Sequence, residues 1–178
     1  QMLRHYLLQQ KHFRCPDDEK KLRRLQSSYF GLMTEVDHNL GRLFDALKAS
    51  GEWSNTLIIF SSDHGEQMGD HWLIGKLGYF DQSYAIPLII YNPSSVANDH
   101  RGTRVDQFTE NVDLMSTMLD WLDLEIPLQC DGRSVLPATE KGQLPSVWRS
   151  QAHWEFDFSG RQSESSLGLS PRECKLNV

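Results

Sequence analysis

From Leu57 to Phe60 the segment Thr56-Leu57-Ile58-Ile59-Phe60 is apolar and β-prone, with no alternation of polar and apolar positions. No other segment constrains the fold as much. A strand without a polar face has to be covered on both sides, as in a parallel sheet with helices packed above and below it. A second such run, Pro87-Leu88-Ile89-Ile90-Tyr91, follows further along the chain. Both have strand length, and nowhere do 18 apolar residues follow one another, so a membrane-spanning helix is excluded. The nine hydrophobic residue types make up 39% of the 178 residues, which with glycine added is a globular composition and excludes disorder throughout.

Helices to cover such strands are legible on either side. From Pro16 to about Ser50, Leu22, Leu25, Met33, Val36, Leu40, Leu43, Phe44 and Leu47 recur at three- and four-residue steps. That periodicity predicts one long helix with a single apolar stripe, stopped at Gly51. A second helix is expected from Asn111, with Leu114, Met118, Leu119 and Leu122 facing inward and Pro127 closing it. Arg149 to Phe156 reads as a further strand. The order helix–strand–loop–strand–helix–strand belongs to a layered α/β fold. No internal repeat or low-complexity segment interrupts it.

The formal net charge is −6. Residues 1–24 alone carry +4, leaving −10 for the remainder, which argues against a general nucleic-acid binder. The basic start suits a solvated helix N-terminus, Asp17-Asp18-Glu19 preceding lysines and arginines, better than a contact for an acidic partner. Cys15, Cys130 and Cys174 are few and widely spaced, without zinc-site spacing or a disulfide framework. They suit reduced thiols of the cytosol with no catalytic role.

Between the two apolar runs, residues 61–86 hold four glycines and many polar groups, too long and too polar for a plain connection. The densest cluster is Ser61-Ser62-Asp63-His64-Gly65-Glu66, continuing to Gly69-Asp70-His71 and Gly75-Lys76. In open α/β sheets ligands sit beyond the carboxyl ends of strands, which is where this cluster falls. Asp63 and His64 offer an oxygen and a nitrogen donor suited to Mn²⁺ or Zn²⁺. Gly65 allows a turn that brings the two side chains together, and Lys76, between Gly75 and Gly78, can serve as a point charge for an anion. The competing reading of the same residues is a capped turn with a surface imidazole and a solvated lysine. Two donors are also too few for a stable site; Asp113 and His153-Trp154-Glu155 are the other candidates, although Asp113 reads as a helix-start residue. A Ser61 or Ser62 nucleophile beside His64 is disfavoured, because immediate neighbours rarely reach the required geometry. No G-x-S-x-G elbow, P-loop, dinucleotide fingerprint or H-E-x-x-H is present.

These motifs in this order, preceded by Tyr29-Phe30-Gly31-Leu32-Met33-Thr34-Glu35-Val36-Asp37, resemble the C-terminal half of the sulfatase branch of the alkaline phosphatase superfamily. Cys130-Asp131-Gly132-Arg133-Ser134-Val135-Leu136-Pro137 and His153-Trp154-Glu155-Phe156-Asp157-Phe158 are similar to segments of bacterial phosphonate monoester hydrolases/phosphodiesterases. The resemblance implies an alkaline-phosphatase-like layered fold with a mostly parallel central sheet flanked by helices. Residues 1–178 would be the C-terminal portion of a sulfatase-like catalytic domain, with the N-terminal half and its nucleophile absent. It further implies that Asp63 and His64 are metal ligands, for Mn²⁺ with Zn²⁺ or Ca²⁺ as alternatives, and that Lys76 is catalytic, contacting the non-bridging oxygens of a bound phosphoryl or sulfuryl group. The family's nucleophile, a formylglycine made within a C/S-x-P-x-R motif, has no counterpart here: Pro16 follows Cys15 directly and no arginine stands in the required place. We therefore expect a fragment of a phosphonate monoester/phosphodiester hydrolase with some sulfatase capacity, inactive alone, from a bacterial cytoplasm. Its expected partner is a small anionic ester, with neither nucleic acid nor membrane, and a homo-oligomer is compatible with it. An arylsulfatase fragment and a non-catalytic sulfatase-like binding module are the alternatives. His71 is open between a site role and simple exposure.

Overall fold

A computed structural model describes His5, Leu7, Leu8, residues 11–76 and residues 79–154. The predicted long helix is α1 (Glu19–Ala49). Asp18 caps it by accepting a hydrogen bond from the Lys20 amide at 2.9 Å, and Arg23 pairs with Glu19 one turn back at 2.6 Å. Gly51, at φ 80°, takes the left-handed conformation that ends the helix. The basic start thus belongs to a solvated helix entry, with Arg14 held on Asp17 at 2.7 Å.

Strand β1 (Ile58–Ser61) pairs with a strand further along the chain, β4 (Leu88–Tyr91), in the register Ile58 opposite Tyr91 and Ser61 opposite Leu88. The pairing is antiparallel, so the parallel sheet that unbroken apolar runs suggest is not formed between these two strands. A parallel pair needs a crossover that carries the chain back to its starting end, usually on a helix. The connection here instead spends its length on two two-residue strands, β2 (Gln67–Met68) and β3 (Ile74–Gly75), and the one-turn helix α2 (Asp81–Tyr84). It therefore delivers β4 alongside β1 in the opposite sense. β2 and β3 form their own antiparallel hairpin, Gln67 opposite Gly75. Among the described residues no parallel pair occurs.

The layers are nevertheless present. Leu88, Ile89 and Ile90 of β4 line a cavity of about 560 Å³ together with Ala97, residues 100–105 and Ala138 and Thr139 of α4 (Leu136–Lys141). Trp53 joins α1 to β4, meeting Phe44 edge-on with ring centres 5.7 Å apart and Tyr91 at a tilt with ring centres 4.7 Å apart.

Helix α3 (Val112–Trp121) starts where expected but turns an unexpected face inward. Its fully buried residues are Asp113, Ser116 and Thr117; of the residues expected inside, Leu114 and Leu119 are half-buried, and Met118 and Leu122 are exposed. The reason is a strap formed by Gly132-Arg133-Ser134-Val135, which supplies hydrogen-bonding backbone to that polar face. Ser116 donates to the Gly132 carbonyl at 2.9 Å, the Arg133 amide donates to Asp113 at 2.8 Å, and the Val135 amide donates to Thr117 Oγ1 at 3.0 Å. A side chain at Gly132 would meet the Val112 carbonyl oxygen at 2.0 Å, so only glycine admits this contact. The helix stops at Asp123 in the left-handed region (φ 55°), before Pro127 is reached. Residues 149–154 form no strand, while Glu155 and Phe156 of that expected element, like Gly78 and Cys174, lie outside the described residues.

Candidate functional site

The polar cluster begins where β1 ends, and a set of short fasteners shapes it. Ser61 donates to the Pro87 carbonyl at 3.0 Å and to Asn111 Oδ1 at 3.1 Å, and Asn111 Nδ2 donates to the Ser62 carbonyl at 2.9 Å. Ser62 Oγ donates to the backbone carbonyl of His64 at 2.6 Å, not to its ring, so neither serine is placed as a nucleophile. Gly65 serves the site through close approach: its amide donates to the Ser83 carbonyl at 2.7 Å, and a Cβ there would lie 2.1 Å from the Gln82 carbonyl oxygen. Its backbone is outside the left-handed region, so the turn-making role expected for it gives way to a steric one. Buried Gln67 reinforces the contact, donating to Ser83 Oγ at 3.1 Å.

This scaffold brings the three predicted residues to one point. The His64 amide donates to Asp63 Oδ1 at 2.9 Å, and Asp63 Oδ2 lies 3.4 Å from His64 Nε2. Lys76 Nζ reaches the same Nε2 at 2.8 Å, returned to it by the β2–β3 hairpin. His64 Nδ1 is 2.8 Å from the Gly65 carbonyl, which can only accept, so Nδ1 carries the proton and the neutral ring presents a lone pair at Nε2. A histidine oriented by a backbone carbonyl in this way presents its second nitrogen as a metal donor. An exposed carboxylate oxygen beside that nitrogen fits a divalent cation of the Mn²⁺ or Zn²⁺ type. Asp63 and His64 could hold no more than part of a metal's ligand set: among the described residues no group of three or more His, Cys, Asp or Glu side chains can hold a metal ion.

The other candidates stay apart. Asp113 is fully buried and committed to Arg149, which donates to its two oxygens at 2.7 and 2.6 Å, and to the Glu110 and Arg133 amides at 2.8 Å each. His153 lies against Glu110, its Nδ1 3.6 Å from Oε1, and Glu155 is outside the described residues. His71 is exposed and stacks on Phe80 with ring centres 4.0 Å apart. The cavity beside β4 is lined by none of Asp63, His64 and Lys76. Sequence reasoning missed Asn111, which ties the Asp63 loop to α3, and Glu110, which shares Arg149 with Asp113 at 3.0 Å. The signal was available in Glu110-Asn111-Val112-Asp113, which holds more polar groups than a helix cap needs.

Two titratable groups near this region are displaced. The Cys15 thiol is pushed up, first by burial and then by the Asp17 carboxylate, and the Tyr84 phenol is pushed up by burial and by neighbouring Tyr79.

The fold is shared with known proteins. The chain superposes on the phosphonate monoester hydrolase of Agrobacterium radiobacter with a TM-score of 0.75 at 42% identity, covering 86% of this chain and 30% of that one. On the phosphonate monoester hydrolase from Silicibacter pomeroyi the TM-score is 0.78 at 36% identity, covering 88% and 31%. The architecture is therefore of the alkaline-phosphatase-like class. The sulfatase family model matches residues 5–124, more than half of the chain, and the protein belongs to the sulfatase family. In sequence it is 47% identical over 164 residues to the multifunctional alkaline phosphatase superfamily protein PehA of Trinickia caryophylli, covering 90% of this chain and 31% of that protein. It is 35% identical over 141 residues to an arylsulfatase of Clostridium perfringens, covering 79% and 29%. The chain thus spans about a third of the length of these relatives.

Proposed function

We propose that this chain contributes the Asp63–His64–Lys76 part of a divalent-metal-dependent hydrolase acting on phosphonate monoesters and phosphodiesters, with sulfate esters as a secondary class. The observation that carries the reading is the meeting of one carboxylate, one imidazole nitrogen and one ammonium within 3.4 Å at the end of β1. Asp63 and His64 would hold the metal, Mn²⁺ by preference. Once bound, such an ion neutralises charge on the non-bridging oxygens of the ester. Lys76 is a mobile cation on a flexible stem: it is now spent on His64 Nε2, and it is free to turn to an anionic oxygen when that nitrogen is engaged elsewhere. The Gly65 carbonyl holds the imidazole in the tautomer required for this, and the Gly65–Ser83 contact holds the carbonyl.

Among the described residues beside this point, Ser61 and Ser62 are committed to Pro87, Asn111 and the His64 backbone, and neither is placed as a nucleophile. The chain alone is accordingly expected to bind metal weakly and to leave substrate unchanged. The test is Mn²⁺ titration of the chain by electron paramagnetic resonance, alongside Asp63→Ala and His64→Ala, with ester hydrolysis followed in parallel. Binding that weakens about tenfold or more in each variant, without turnover, supports the reading. Tight binding indifferent to both substitutions, or Asp63-dependent turnover by the purified chain, would overturn it. The similarity to PehA and to two phosphonate monoester hydrolases favours phosphorus esters over sulfate esters.

A further inference from the structure

Tyr79, Tyr84 and Trp154 stack in a row. The first two rings lie 13° from parallel with centres 5.5 Å apart, and Tyr84 and Trp154 lie 20° from parallel with centres 5.1 Å apart. Both spacings are within the range of offset aromatic stacking. Each ring is tied through a neighbouring residue to a part of the candidate site. Ser83, just before Tyr84, accepts the Gly65 amide at 2.7 Å, and Gly65 follows His64. His153, just before Trp154, donates its amide to Glu110, and the adjacent Asn111 holds the Ser61 hydroxyl and the Ser62 carbonyl that lead into Asp63. Tyr79 follows Lys76 by three residues, so their Cα atoms are at most about 11 Å apart. The row of rings and the Asp63–His64 loop are thus fastened together at three places. Tyr84 is engaged by a ring on either side and has no face to offer. Trp154 differs: it ends the row, with Tyr84 stacked on its indole, and it is 46% exposed.

We propose, on the reading that Lys76 receives the oxyanion of the ester, that Trp154 is a specificity-determining residue: its open indole face receives a flat aromatic substituent of the same molecule. An aryl phosphonate has two unlike ends, a charged oxygen and a ring. The fastened cluster has one group for each, an exposed ammonium at Lys76 and a half-exposed indole at Trp154. Stacking a neutral ring on the indole leaves the Lys76 charge to the oxygens, so the two contacts do not compete. The Tyr79–Tyr84 pair backs the indole and fixes its plane, which spares a bound ring the cost of ordering its platform. A small alkyl phosphonate engages Lys76 and forgoes the stacking. The site accordingly prefers aryl to alkyl substituents.

The experiment is titration of the metal-free chain with phenylphosphonate and with methylphosphonate, followed by nuclear magnetic resonance. The indole N–H signal of Trp154 is assigned by its loss in Trp154→Phe. Both phosphonates must draw Lys76 away from His64 Nε2, so that cost cancels in the ratio of their affinities. Phenylphosphonate should shift the Trp154 signal and bind about threefold to tenfold more tightly than methylphosphonate. Trp154→Ala should bring the ratio to within about twofold of one with methylphosphonate affinity unaltered, and Trp154→Phe, which keeps a ring, should retain most of the preference. Lys76→Ala should weaken both ligands alike. A Trp154 with a structural role alone would move both affinities together and leave their ratio in place. A Trp154 signal that phenylphosphonate leaves unmoved, a phenyl preference indifferent to Trp154→Ala, or phenylphosphonate binding indifferent to Lys76→Ala would each overturn the proposal. A preference that depends on Trp154 and Lys76, in a chain whose Mn²⁺ binding ignores Asp63→Ala and His64→Ala, would support the aromatic platform and sink the metal reading alone.

Discussion

Replacing Asp113 should be the most destabilising single change in the described part of the chain. Its side chain is fully buried, and its two oxygens accept from the Glu110 and Arg133 amides and from both terminal nitrogens of Arg149. The Arg149 side chain is itself 13% exposed, with Glu110 as its second carboxylate. Asp113→Asn keeps the shape and removes the charge, leaving a nearly buried guanidinium with one partner at 3.0 Å. Breaking a buried ion pair from one side costs about 3–5 kcal/mol, and the surviving Glu110 contact puts this variant near the lower end, about 3 kcal/mol. Asp113→Ala strands two backbone amides as well and should cost about 5 kcal/mol. Arg149→Met leaves a fully buried carboxylate held by two amides without its counter-ion and should also cost about 3 kcal/mol. In urea, with a slope of about 2 kcal/mol per molar, Asp113→Asn should lower the midpoint by about 1.5 M at unchanged slope. The double variant Asp113→Asn/Arg149→Met should be less destabilised than the sum of its singles by about 1 kcal/mol or more. A loss below about 1 kcal/mol for Asp113→Asn, or strict additivity in the double variant, would refute the claim that this pair anchors α3 to its strap.

Other expected outcomes concern the loop and its neighbours. Gly65→Ala pushes a methyl group into the Gln82 carbonyl, a backbone atom that cannot turn aside, and should cost about 2–3 kcal/mol while weakening Mn²⁺ binding; equal stability by urea titration would contradict the contact. Cys15 should react with iodoacetamide near pH 8.5 more slowly than a free thiol, because its raised pKa lowers the thiolate fraction, and Asp17→Asn should speed it by removing the second of the two causes. The same shift has a stability counterpart. With the folded pKa above the unfolded one, the contribution of this thiol is fully present below the unfolded value and is lost as pH rises through the folded value. A labelling rate equal to that of a model thiol in both proteins would show Cys15 to be solvated.

What the sequence disclosed, and what it hid, follows from how far each signal reaches. The ends of α1 were legible because a cap and a stop act on their own neighbours: Asp18 on the Lys20 amide, and Gly51 on its own backbone. The places of β1 and β4 were legible for a similar reason, since an apolar run needs cover wherever it goes. Their relative direction was not, because it depends on what the intervening chain spends its length on. The inner face of α3 was misread for a sharper reason. Periodicity ranks residues by their average cost of burial, and that ranking puts Leu122 inside and Asp113 outside. Asp113 is buried because Arg149, 36 residues away, and two amides satisfy it, and no local pattern announces a partner at that distance.

The candidate site divides along the same line. Asp63, His64 and Lys76 could be named because their residue types carry chemistry wherever they stand. Their convergence depends on groups whose types are unremarkable: the Ser62 hydroxyl, the missing side chain of Gly65, and an asparagine 49 residues from the carbonyl it holds. The same loop therefore has two levels of constraint. A change at Asp63 or His64 should remove a donor and leave the fold intact, while a change at Gly65 or Asn111 should leave both donors present and spread them apart. Mn²⁺ affinity would fall in all four cases, but the urea midpoint should fall only in the second pair. That split follows from the geometry: Asp63 is exposed and His64 half-buried, while their supports sit against β4, α2 and α3.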